Sequence, residues 1–152
     1  MIGPPPPPRG STPRVLVESA CEVFGAEEVR DWCAGLAVGA VAVDAADRPH
    51  IGWLGGTTGW PEHWARAWGA RGLLHLGPPV DEAVLRAMLG DPQWRVRETA
   101  LKVVARWRLD PGEAVLLGLT DDPVERVRVQ AWRALGRPAA GSRGRGHERA
   151  HD

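Results

Sequence analysis

From Pro92 to Trp107 the apolar residues Val96, Ala100, Val103, Val104 and Trp107 recur at i, i+4, i+7, i+8 and i+11. That spacing lays them on one face of an α-helix. Upstream, "VLVESACEVFG" and "AEEVRDWCAGLAVG" are each apolar at helical spacing and each end in Gly, so Leu16 to Val43 is predicted to be helical. In "DAADRPHIGWLGGTTGW" glycines and Pro49 break every period. This stretch is expected to be a loop anchored by Trp53 and Leu54.

The pattern repeats. Laid on itself at an offset of 31 residues, the chain aligns Pro61, Pro92 and Pro123, then Arg66, Arg97 and Arg128, without a gap. Gly69, Ala100 and Ala131 form a column of small residues, and Arg71, Lys102 and Arg133 a basic one. "DEAVLRAML" lies over "GEAVLLGLT". A recurring unit of this length predicts an all-α fold, a solenoid of antiparallel helix pairs. Small residues fall where helix axes approach most closely. Asp91 and Asp122 stand as N-caps before prolines suited to a first helical turn.

The segment "DP..RVR..A...V", preceded by a short helix, resembles the HEAT repeat in its short HEAT-like form, over residues 59–137. The resemblance implies an armadillo-type superhelix in which a turn Asp and an Arg six residues later form a polar ladder linking neighbouring repeats. Asp91 with Arg97 and Asp122 with Arg128 match that pattern. Trp60 holds the Asp position of the first copy, so Arg66 is expected to lack a ladder partner. The family geometry also implies that Pro61 to Leu76, Pro92 to Trp107 and Pro123 to Gly136 line the inner face. Residues 15–58 would then cap the array.

On the face opposite the apolar one lie Trp64, Trp68, Arg71 and His75 in the first copy and Arg95, Thr99, Lys102 and Arg106 in the second. Arg126, Gln130, Arg133 and Arg137 follow in the third. With Trp94 as a further anchor, this is a basic ridge with an aromatic end. It suits an acidic protein segment, or a phosphate backbone with Trp as a stacking platform. The ordinary alternative is a solvated helix face. Trp60, Trp64 and Trp68 recur at i, i+4 and i+8, and are expected to seat the N-terminal helices rather than stand exposed.

Composition narrows the picture. With 19 basic and 19 acidic residues, no global field favours nucleic acid or membrane. Only Lys102 among the basic residues is lysine, a skew that reflects base composition more than mechanism. Cys21 and Cys33 sit in no CxxC pair and read as thiols of a reducing, cytoplasmic protein. "GLAVGAVAV" is far short of the ~20 apolar residues that cross a membrane. The five consecutive prolines of residues 1–14 and the Arg-rich segment 138–152 are expected to be disordered tails. Polyproline can also serve as a ligand for aromatic grooves.

Catalytic signatures are missing: HExxH, paired CxxC and GxSxG do not occur. His50, His63, His75 and the cysteines match no zinc spacing. Glu62 and Asp81 stand near helix starts, where capping is the ordinary role, and "GWLGGTTG" lacks the Lys of a phosphate loop. HEAT-like DNA glycosylases and phycobilin lyases are longer, and no catalytic Asp motif of theirs is matched. The sequence therefore points to a non-enzymatic interaction module or adaptor without a cofactor, and in second place to a nucleic-acid-binding module.

Overall fold

A computed structural model describes residues 4–7 and 10–137; the segment 138–152 lies outside them. Among the described residues there are seven α-helices and no strand. They are α1 (Pro13–Phe24), α2 (Ala26–Ala37), α3 (His63–Leu76), α4 (Glu82–Leu89), α5 (Trp94–Trp107), α6 (Glu113–Leu119) and α7 (Glu125–Ala134). A 3-10 turn, Ile51–Leu54, stands between α2 and α3 and buries Ile51, Trp53 and Leu54. None of these helices is long and apolar enough to cross a membrane.

The helix starts follow their caps. Thr12 Oγ accepts from the Val15 N–H at 3.3 Å, and Pro13 opens α1, inside the stretch expected to be tail. Asp81 Oδ1 accepts from Ala83 and Val84 at 2.8 and 3.3 Å. Asp91 and Asp122 are not the caps expected of them. Their Oδ1 atoms accept from Gln93 N at 2.8 Å and Val124 N at 2.9 Å, and the helices begin one residue later, at Trp94 and Glu125. Such Asp-centred turns satisfy an N–H ahead of the helix while the next residue stays extended. The expected starts at Pro61, Pro92 and Pro123 therefore move inward, and α7 stops at Ala134 before Gly136, whose φ is +74°.

Packing follows the columns. Helices α3, α5 and α7 lie side by side, α2 packs on α3, α4 on α5 and α6 on α7, and α1 touches α2 and α3. Val96, Leu101, Val104 and Val127 join Leu85 and Met88 in the core. Gly69, Ala100 and Ala131 are all buried, as their column implies. A Cβ on Gly69 would lie 2.6 Å from the Cys33 carbonyl oxygen, so α2 and α3 touch backbone to backbone. This glycine face seats α2 on α3. Trp68, 6% exposed, lies against Gly56 of the loop. Trp60 is 55% exposed.

A polar ladder joins the row. Arg66 donates Nε to Asp91 Oδ2 at 2.8 Å and Nη2 to Oδ1 at 3.2 Å. Arg97 repeats the fork on Asp122 at 2.7 and 3.0 Å. The expectation that Arg66 lacks a partner is not met. Each guanidinium reaches forward to the carboxylate of the next copy, so Arg66 has a partner, and Glu62 accepts from it as well. To its own copy Arg97 offers only Nη1, to the Asp91 and Pro92 carbonyls at 2.8 and 3.0 Å. Arg128 likewise donates Nη1 to the Asp122 carbonyl at 2.8 Å. Bidentate forks of this kind are the stronger class of charged hydrogen bond.

Candidate functional site: an aromatic and arginine strip across α3, α5 and α7

The strip begins at Trp60, which folds back so that its ring centroid lies 5.4 Å from Trp64 and 6.0 Å from Trp68. Trp64 and Trp68 are one helical turn apart on α3, with centroids 6.2 Å apart. Across the row, the Arg95 guanidinium sits 5.0 Å from the Trp64 ring centroid and 4.4 Å from that of Trp94. The Arg126 guanidinium sits 5.3 Å from the Trp94 ring centroid. Trp64, Arg95, Trp94 and Arg126 thus alternate over three helices. The sequence had placed all four on one face; stacking of the helices makes them a continuous strip. Arginine faces are attracted to tryptophan faces because the ring quadrupole is negative there.

Between α3 and α5 the strip borders a cleft of about 130 Å³ lined by Trp64, Arg71, Arg95, Glu98 and Thr99. Glu98, which the sequence did not single out, is 6% exposed, and its Oε2 accepts from Arg126 Nε at 2.9 Å. Only its relation to Arg126, 28 residues on, could have marked it, one helical turn short of the repeat. Thr99 Oγ donates to the Arg95 carbonyl at 2.9 Å.

The remaining candidates divide. The side chains of Arg95, Lys102, Arg106 and Arg133 have no hydrogen-bond or ion-pair partner among the described residues, although Arg106 covers Trp107 at 5.1 Å. Trp107 itself ties α5 to α3 through its Nε1, which donates to Leu74 at 2.9 Å. Trp68 is too buried to meet a partner with its ring. Arg71 turns inward and donates Nη2 to the Leu54 carbonyl at 2.8 Å, and burial pulls its pKa below the ordinary value. Arg137 lies past the end of α7 and turns to Glu113 on α6 at 3.3 Å, so it leaves the ridge. His75 is held below its usual pKa by burial and by Arg106, Arg71 and Arg14, against the opposing charge of Glu18.

Cys33 is fully buried, and desolvation pushes its thiol far above the ordinary value. No group of three His, Cys, Asp or Glu side chains suited to a metal ion occurs among the described residues. No protein-family model, curated protein or solved structure matches the chain.

Proposed function

We propose that the chain is a HEAT-like α-solenoid acting without catalysis as a protein-interaction module, with an acidic segment of a partner protein lying along the strip on α3, α5 and α7. The solenoid reading is supported by the recurrence at 31 residues of the small column, and by a ladder fork that reaches forward 25 residues at both steps. One observation carries the binding reading. The Arg95 guanidinium lies over both the Trp64 and the Trp94 ring, while its N–H groups have no hydrogen-bond partner among the described residues. A guanidinium fixed in this way has little rotamer freedom left to lose on binding. Its free edge fits a carboxylate through two parallel hydrogen bonds.

Nucleic acid remains the second reading, on the unpaired charges of Lys102, Arg106 and Arg133. Three features favour the acidic peptide over it. Glu98 neutralises Arg126 at the centre of the strip, Arg71 is committed to Leu54, and Arg137 has turned away to Glu113. The row of cations that a phosphate backbone would follow is therefore broken.

The test is fluorescence anisotropy with a labelled oligoglutamate peptide and a labelled short DNA duplex, each at about 50 and 200 mM salt. The peptide should bind, and Arg95→Ala should weaken it about tenfold, ~1.4 kcal/mol. Failure of the peptide, with duplex binding lost on reversing Lys102 and Arg133 to Glu, would replace the adaptor by the nucleic-acid reading.

A further inference from the structure

A second aromatic site lies away from the strip, and the chain fills it with its own sequence. Trp53, in the 3-10 turn, is 3% exposed, and its ring meets Phe24 of α1 edge to face, with centroids 5.5 Å apart and planes at 88°. Its indole Nε1 donates to the Pro4 carbonyl at 3.0 Å, across 49 residues of sequence. A buried indole N–H needs an acceptor, and here the N-terminal proline segment supplies it. Pro4 and Pro6, in the stretch expected to be a disordered leader, lie against the Trp53 turn.

The turn is shaped for that segment. A Cβ on Gly52 would lie 2.8 Å from Pro6 Cγ, so only glycine lets the pyrrolidine ring approach the backbone this closely. The same Cβ would lie 2.9 Å from His50 Nδ1, which accepts from the Gly52 N–H at 2.9 Å and fixes the turn. Beside this contact a cleft of about 460 Å³ opens between Pro6 and Pro7 on one side and Leu16, His50 and Gly55 on the other. Consecutive prolines favour the extended polyproline II conformation, which loses little entropy on docking. The cleft itself has no Trp or Phe in its lining; the indole N–H of Trp53 on the Pro4 carbonyl and the close approach of Pro6 to Gly52 are what hold the segment.

We propose that the Trp53 turn is a polyproline-recognition site, occupied in cis by Pro4–Pro7, and that a proline-rich segment of a partner protein binds there by displacing this leader. The leader sets the threshold. Tethered to its own site it competes at high effective concentration, so the affinity seen by a partner falls by the fraction of sites that stand open.

The experiment uses the full chain and a labelled oligoproline peptide. Replacing Pro4, Pro5, Pro6, Pro7 and Pro8 by Ser should free the site and tighten peptide binding about tenfold or more over the wild type. Adding Trp53→Phe, which keeps an aromatic ring but removes the N–H, should return binding to the wild-type level or below. Equal affinity of the serine variant and the wild type would overturn the proposal, as would retention of binding by the Phe variant. A measurement on the unaltered chain guards against misfolded variants. Excess oligoproline should shift the Trp53 indole N–H signal in NMR and leave the indoles of Trp64 and Trp94 in place; an unmoved Trp53 signal at millimolar peptide also overturns it. Oligoglutamate binding at the strip is read separately, so either site can fail alone.

Discussion

Helices α3 and α5 hold equivalent places 31 residues apart, yet they meet their neighbours by different means. α3 has Gly69 and Gly72 where α5 has Ala100 and Val103, and its partner α2 is 12 residues long, with Val29, Trp32, Cys33 and Leu36 buried. α5 is backed by α4, of eight residues. The 12-residue α2 is brought against bare backbone at Gly69, an approach that the alanine and valine of α5 would not allow. The turns differ as well. Asp91 and Asp122 take a guanidinium, while Trp60 closes the first copy by covering Trp64 and Trp68. At the first copy apolar cover stands where the later copies carry a carboxylate.

The comparison breaks most visibly at the ladder. Asp122→Ala should destabilise by about 3 kcal/mol, because it leaves Arg97 without its carboxylate in a largely desolvated place and removes the Val124 turn contact. Asp91→Ala should cost a similar amount through Arg66. Arg128→Ala, with no forward carboxylate to lose among the described residues, should cost less than about 1 kcal/mol. Urea denaturation of the three variants checks the order; an Arg128 variant as damaged as the Asp variants would contradict the forward pairing.

The next effect lies in the small column. Gly69→Ala should destabilise by about 2 kcal/mol through overpacking against the Cys33 carbonyl. Ala100→Gly should cost only about 1 kcal/mol, chiefly as lost helix propensity. Thermal midpoints decide it, and a harmless Gly69→Ala would mean that α2 and α3 are further apart than described.

The smallest effect is the pH dependence. Burial pushes the Asp122 carboxyl upward, but hydrogen bonds from Arg97 and the Val124 N–H, with the charges of Arg97 and Arg128, outweigh it and hold the group below the usual 3.8. A depressed carboxylate contributes stability that is complete above its unfolded pKa and is lost as pH falls through the folded value. Unfolding free energy should therefore decline below about pH 4, and Asp122→Asn should flatten that decline. An unchanged acid limb in the Asn variant would place the titrating group elsewhere.

The helices were legible because the 31-residue recurrence and the helical period agree from Pro61 to Ala134. Their exact starts were not, since an Asp before Pro can cap a helix or close a turn, and both use the same oxygen. The ladder residues could be picked out, but six-residue spacing within a copy cannot say which copy a guanidinium faces. That depends on how far one helix is displaced from the next. Trp64, Trp94, Arg95 and Arg126 were legible as a face. Glu98 was not, because a lone acid on a basic helix looks like solvated charge until Arg126 is brought beside it. Arg71 and Arg137 were misplaced for local reasons, one captured by a loop carbonyl and the other carried past a helix end. Nothing near Trp53 in the sequence signals that its acceptor is Pro4, 49 residues earlier.

The forward pairing of Arg66 with Asp91 and of Arg97 with Asp122 gives the row of α3, α5 and α7 a direction, as hooks and eyes give one to a fastening. The first copy brings a hook and no eye, since Trp60 stands where a carboxylate would be. The last brings an eye already filled and, in Arg128, a hook with no eye among the described residues. Duplication of a unit is thus not symmetric in its consequences. A further copy joined after Arg137 would offer its turn Asp to a waiting guanidinium, whereas one joined before Trp60 would reach forward and find an indole.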